Sequence, residues 1–142
     1  MNSNNLVKEI FQTYSANTAD NLTIVTNAAN GVNIKAFFDF ITLSGYNKEE
    51  AAGLFNVSLK TFMRYKKENK NLAPLYGEMV LKLIALYKLG LEIFGSVPSF
   101  NSWLKKENFG LGNLVPKNLM NISGGIDLIA EELENIKYGN LS

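Results

Sequence analysis

The chain contains no cysteine and no histidine. Disulfides are excluded, and so are ordinary zinc sites, which need those ligands. Neither a Ser-His-Asp nor a Cys-His catalytic set can be built. The lack of cysteine agrees with a reducing compartment, and the chain is expected in the cytoplasm. Charge is also scarce: Asp, Glu, Lys and Arg make up 19% of the residues, and the formal net charge is +1. Any affinity for an acidic polymer must come from a local patch, not from overall charge. Long apolar runs are missing too. The most apolar stretch, 79–94, is broken by Lys82, Lys88 and Glu92, so it is amphipathic and not membrane-spanning. Residues 1–5 lack a basic region followed by an apolar run, so they do not read as a signal peptide. No metal, cofactor or membrane partner is expected.

What is present suits one domain. The chain has 142 residues, 46% of them hydrophobic, which is enough for a real core. It is organised around residues 47–67, which read as two short helices joined by a tight turn. Asn47 can cap the first helix, and Glu49 and Glu50 suit the positive end of its dipole. Ala51, Ala52, Leu54 and Phe55 supply apolar contacts. Asn56 sits where the backbone must turn sharply, and asparagine tolerates a left-handed conformation. Val57 would plug the corner, and Ser58 would cap the second helix. Phe62 and Tyr65 are spaced to face inward, whereas Ser58, Lys60, Thr61 and Arg64 face out. That outward face suits a DNA major groove, where Arg64 can donate two hydrogen bonds to guanine. Lys60, Arg64, Lys66, Lys67 and Lys70 form a cation cluster opposed only by Glu68, as phosphate binding requires. The plain alternative is a solvated helical face.

Residues 1–30 carry seven asparagines. Leu6, Val7, Ile10, Phe11 and Tyr14 have helical spacing, 17–20 read as loop, and Leu22-Thr23-Ile24-Val25-Thr26 reads as a short strand or extended arm. This leader is either disordered or ordered against a partner. After Gly31, Asn33 can cap a helix bearing Ile34, Phe37, Phe38, Ile41 and Leu43, which Gly45 ends. Pro74 opens a long helix that runs to about Phe94. Leu75, Met79, Leu83, Leu86, Tyr87, Leu91 and Phe94 form its apolar stripe, with Val80, Ile84 and Leu89 beside it. The stripe is either intramolecular core or a dimer seam. Beyond Gly95 the composition shifts to recurring Gly, Asn and Pro. Pro98 opens a short helix with Phe100, Trp103 and Leu104, and the tryptophan reads as a core anchor. Residues 108–114 read as loop, and Pro116 starts a turn with Leu119 and Met120. Ser123 can cap a last helix to Lys137, with Ile126, Ile129, Ala130, Leu133 and Ile136 on one side. Asp127, Glu131, Glu132 and Glu134 line the other side. The molecule is thus basic near 60–70 and acidic at its end.

At this point the residues carry a family. The segment 31–139 resembles the Xre/MbcA/ParS-type antitoxins of bacterial toxin–antitoxin operons. Val57-Ser58-Leu59-Lys60-Thr61-Phe62-Met63-Arg64 resembles their Xre-like helix-turn-helix. Leu72-Ala73-Pro74, Leu83-Ile84-Ala85-Leu86 and Glu92-Ile93-Phe94-Gly95 resemble their connecting helix. Trp103-Leu104, Asn108, Leu111-Gly112, Pro116, Leu119, Gly124 and the ending Leu133 to Tyr138-Gly139 resemble their toxin-binding domain. That ordered series is far more specific than the helix-turn-helix, which many repressors share. Two departures stand out: Asn56 replaces the usual turn glycine, and the leader matches poorly.

The resemblance implies an all-α fold: an Xre-like helix-turn-helix domain followed by a small α-helical toxin-binding domain. It divides the chain into a leader (1–30), a DNA-binding region (31–72), a connecting helix with a dimer contact (73–95) and a toxin-binding domain (96–142). It implies a non-enzymatic antitoxin that silences a cognate RES-domain toxin, a NAD-consuming or ADP-ribosylating enzyme, by covering its active site. It also implies a homodimer that binds operator DNA and represses its own operon. Carried over, DNA contact falls on Ser58, Lys60, Thr61, Arg64, Lys66 and Lys67. Toxin contact falls on 128–142 with the loop 108–114, and within these on Asn108, Leu111, Gly112, Leu128, Glu131, Glu132, Glu134, Tyr138, Gly139 and Asn140. Acidic side chains there would pair with cations that the toxin uses for NAD phosphates. The alternative is a stand-alone Xre-like dimeric transcriptional repressor, and a third reading keeps the fold without DNA binding. An enzyme is remote. The three glutamates make no credible acid–base pair, and Gly110-Leu111-Gly112 lacks the Lys-Ser/Thr of a phosphate loop.

Overall fold

In the computed structural model, which describes residues 3–139, the chain runs through eight helices. They are α1 (Ser3–Tyr14), α2 (Asn21–Asn30), α3 (Lys35–Ser44), α4 (Lys48–Leu54), α5 (Leu59–Glu68), α6 (Pro74–Phe94), α7 (Val97–Leu104) and α8 (Ser123–Lys137). Strands β1 (Val32–Asn33) and β2 (Asn71–Leu72) pair antiparallel, Val32 opposite Leu72 and Asn33 opposite Asn71. Single 3-10 turns cover Phe109–Leu111 and Pro116–Leu119. The fold is all-α apart from this small ribbon.

The leader differs from the expected strand. Leu22 to Thr26 lie inside α2, because Asp20 caps the helix by accepting the Thr23 N–H at 2.7 Å. The capped turn holds the Asp20 carboxyl below its usual range, chiefly through that backbone hydrogen bond. β-branched residues favour strands only weakly, and burial of Ile24 and Ala28 against α6 outweighs that preference. Gly77 permits the close approach: a Cβ there would stand 3.1 Å from the Val32 side chain and 3.7 Å from the Ala28 Cα. α1 follows the expected spacing. It buries Ile10, and its Tyr14 hydroxyl donates to Asp39 at 2.6 Å. The leader from residue 3 onward is therefore packed on its own chain.

α6 is the centre of the molecule. It packs against α2, α3, α7 and α8. Met79, Val80, Leu83, Ile84, Leu86 and Tyr87 are buried within this single chain. Leu75 leaves the expected stripe: it lies in the first turn and is 58% exposed. Pro74 starts the helix, and Gly95, with φ of 84°, ends it in the left-handed region. No helix among the described residues is long and apolar enough to cross a membrane.

The core is a chain of aromatic rings along this helix. Under α4 and α5, Phe37 meets Phe62 at 4.6 Å and Phe55 at 5.5 Å between centroids. Phe40 then meets Tyr87 at 5.8 Å, and Tyr87 meets Phe100 at 4.9 Å. Gly90 makes room for Phe100, since any Cβ on α6 at that point would run into the ring. Trp103 is half-buried on the Phe94 and Phe100 rings. Such edge-to-face and offset contacts each add to the burial of area alone.

Two capping expectations need correction. Asn33 does accept the Lys35 N–H at 2.9 Å, but Ile34 already has helical angles and forms the cap of α3. Ser123 does not cap α8; Ile122 precedes the helix there. The Ser123 hydroxyl instead accepts from the Lys82 ammonium at 2.9 Å.

Candidate functional site

The first face is built by α4, α5 and the turn between them. Asn47 accepts the Glu50 N–H at 2.7 Å, with Glu49 and Glu50 in the first turn of α4. Ala51, Ala52, Leu54 and Phe55 are buried. Asn56 has φ of 54°, so the turn uses the left-handed conformation that asparagine tolerates. Ser58 accepts the Thr61 N–H at 3.3 Å and shares a 2.9 Å hydrogen bond with the Thr61 hydroxyl. Thr61 is therefore half-buried rather than fully outward. Phe62 plugs the core beneath.

Ser58, Lys60, Arg64, Lys66 and Lys67 are exposed on α5. None of these cations makes an ion pair among the described residues, whereas Lys70 is paired with Glu68 at 3.0 Å. Lys66 lies 4.7 Å above the Phe38 ring, and Arg64 stands 5.7 Å from the Tyr65 centroid. Lys66 and Lys67 fall in the last turn, where the helix dipole favours positive charge. The pairing of β1 with β2, the Ile34 N–H bond to Lys70 O at 2.9 Å and the Asn33–Asn69 side-chain bond tie both ends of this unit together. The face can therefore present unpaired cations from a helix with little freedom to move.

The second face lies at the other end. Residues 108–114 close into a tight loop, with Asn108 N–H bonded to Leu114 O at 3.0 Å and Asn113 N–H to Asn108 O at 2.9 Å. Gly112 and Asn113 are both left-handed. Asn108 is half-buried, and its Oδ1 meets no donor among the described residues. Leu111 is half-buried against the core, and Gly112 is exposed. On α8, Ile126, Ile129 and Leu133 are buried, but Ile136 is exposed, contrary to its expected core position. The last turn of α8 is nonetheless tied to α6, where Lys137 pairs with Glu92 at 3.0 Å. Leu128, Glu131, Glu134, Tyr138 and Gly139 are exposed. Glu132 is half-buried, because its carboxylate lies directly over Gly110. Asn140 lies outside the described residues.

Ion pairs dock this second region onto the rest. The Lys82 ammonium reaches Ser123 and Asp127 at 2.9 Å and Glu78 at 3.2 Å. Burial alone would lower the pKa of this ammonium, but hydrogen bonds to Asp127 and Glu78 outweigh it and the net shift is upward. Lys117 pairs with Glu50 of α4 at 2.6 Å and lies 4.7 Å over the Tyr46 ring. Tyr87 donates to Asn101, whose amide donates to Ser44 O at 2.8 Å. Burial pushes the Tyr87 hydroxyl well up and raises that of Tyr46 as well, so both stay protonated donors.

The expected contact loop 108–114 contains two exposed apolar residues that sequence reasoning did not single out, Phe109 and Leu114. The available signal was a phenylalanine and a leucine inside an Asn- and Gly-rich loop, where a large apolar side chain has little core to enter.

The mostly helical chain thus carries an exposed cationic face on α5 and exposed apolar side chains beside carboxylates in the region of loop 108–114 and α8. Residues 89–139 match the family model of the antitoxin Xre/MbcA/ParS C-terminal toxin-binding domain. The match spans α7, both 3-10 turns, α8 and the last part of α6, and thus contains the whole second face. No curated protein matches the chain. The match supports an antitoxin whose C-terminal part binds a toxin.

Proposed function

We propose that the chain neutralises a RES-domain toxin by covering its active site, and that as a homodimer it represses its own operon through operator DNA. The observation that carries the reading is the match over 89–139, which falls on a folded region with exposed apolar side chains. The toxin's RES identity follows from the resemblance of the longer segment 31–139. Mechanism is steric: loop 108–114 and α8 lie across the toxin's NAD pocket, and no reaction is carried out by this chain. The unpaired cations of α5 supply the second activity. Two such helices on a two-fold axis fit two half-sites of a palindrome. Lys60, Lys66 and Lys67 take phosphates, and Arg64 reads a base edge.

The test is co-expression with the product of the adjacent gene, with growth and cellular NAD as readouts. That product should be toxic alone, deplete NAD, and be harmless with this chain. Truncation at Gly124 should abolish rescue, because it removes α8. If the adjacent product is neither bound nor toxic, the antitoxin reading falls. The chain is then tested as a stand-alone repressor on the DNA upstream of its own gene.

A further inference from the structure

Phe109 is 83% exposed, more than any other large hydrophobic side chain among the described residues. Leaving such a ring in water is unfavourable in proportion to its apolar area. The loop that carries it is not slack. Beyond the closing bonds of Asn108 and Asn113, the Gly112 N–H bonds to Phe109 O at 3.1 Å and the Leu114 N–H to Leu111 O at 3.2 Å. The ring is thus held out by a preformed backbone, and little ordering is left for a binding event.

The loop is also fixed beside α8. Gly110 lies under the Glu132 carboxylate, and any Cβ there would collide with it. Leu128 and Ile136 stand one turn before and one turn after Glu132 on the same side of the helix. Both are exposed, Leu128 at 51%. The loop bearing Phe109 thus lies, through Gly110, against the side of α8 that carries Leu128 and Ile136, and Glu131 and Glu134 are exposed on the same helix. Single surface hydrophobics need no explanation, but a group of them on one face marks a partner.

We infer that Phe109 and Leu128 are the apolar anchor of the toxin interface, and that the toxin surface they meet is an apolar pocket with a cationic rim. The inference rests on the antitoxin reading above. Two observations select this occupant over others. The face lies wholly inside the stretch that matches a toxin-binding domain. The exposed charges of α8 are the acids Asp127, Glu131 and Glu134 against the single Lys137, so an identical copy of this helix is disfavoured and a basic partner is favoured. The anchor also assigns different tasks to the acids: Glu132 props the loop, and Glu131 and Glu134 steer approach.

The experiment uses the full chain and the purified product of the adjacent gene, with affinity read by calorimetry. Phe109→Ser should weaken binding about 30-fold or more, as expected when a central aromatic anchor is removed. Leu128→Ser should act in the same direction. Phe109→Ser should leave the melting temperature in place, since the ring is exposed, and Leu128→Ser should lower it only slightly, through lost helix propensity and partial burial. Glu131→Gln should change affinity only a few-fold, mainly through the association rate. If the wild-type chain binds and Phe109→Ser with Leu128→Ser binds equally well, the anchor is overturned and the antitoxin reading stands. If Glu131→Gln costs more than Phe109→Ser, charge holds the interface and the anchor is again overturned. A change in oligomeric state of Phe109→Ser without toxin, with toxin affinity kept, makes the face a self-contact. If the wild type itself neither binds nor rescues growth, the antitoxin reading fails and the anchor fails with it.

Discussion

Helix α5 presents Lys60, Arg64, Lys66 and Lys67 without ion pairs among the described residues, whereas loop 108–114 and α8 present Phe109, Leu128 and Tyr138 among carboxylates. The first surface would bind through charge, which salt screens. The second would bind through apolar area, which salt leaves largely intact. One chain of near-neutral total charge carries both because the charges are separated along it. The two surfaces also share a support. α6 underlies both, and the Phe40, Tyr87 and Phe100 rings connect them. A defect in a surface should therefore silence one activity, and a defect in the shared core should silence both.

The largest effect is expected where the comparison breaks down entirely. Phe100→Ala removes a buried ring between the two regions, and it should cost about 3–5 kcal/mol of stability. Urea unfolding should show one earlier transition for the whole chain. Two transitions would mean that the regions fold separately. Next, Lys60→Ala with Arg64→Ala should cost about 2–4 kcal/mol of operator affinity and flatten the salt dependence by about two phosphate contacts. Filter binding across a salt series checks this, with toxin affinity as the control that must stay put. Unchanged DNA binding would remove the recognition-face assignment.

Smaller effects sharpen the comparison from within each region. Lys82→Met removes the ammonium that joins α6 to α8, and it should cost about 1–2 kcal/mol at neutral pH. The folded-state pKa of Lys82 is raised, so its contribution is complete below the unfolded value of about 10.4 and is lost as pH rises through the folded value. The gap in stability between wild type and Lys82→Met should therefore close in strong alkali, as thermal scans at rising pH would show. A gap that widened there would contradict the sign. Smallest of all, Asn47→Ala deletes the cap of α4 and should cost about 1 kcal/mol. It should weaken DNA binding slightly and leave toxin binding unchanged.

Much of the helix-turn-helix geometry was legible in the residues themselves. Asn47, Asn56 and Ser58 each act within a few residues of where they stand, and their capping and turn roles follow from local chemistry. The same is true of Pro74, Gly45 and Gly95. α2 was not legible, since a Leu-Thr-Ile-Val-Thr run has strand propensity. Only the surface of α6, opened by Gly77, gives Ile24 and Ala28 a helical groove to fill. Ser123 was misread for a similar reason: it has capping chemistry, but Lys82, far away in sequence, takes its hydroxyl. In the second face, the resemblance marked Leu128 for contact, yet nothing local placed the loop bearing Phe109 against the same helix.

The sequence by itself determined where α4, α5 and α6 start and stop, that the cations cluster near 60–70, that the acids cluster after 124, and that thiol, imidazole and disulfide chemistry are absent. These depend on residue identity and on separations of at most a helical turn or two. Tertiary structure alone decided that the stripe of α6 is buried within one chain, that residues 22–26 are helical, and that the Glu132 carboxylate lies against Gly110 of the loop bearing Phe109. Those outcomes depend on which apolar faces meet across long separations. That competition is settled by the total area removed from water, and no single segment contains it.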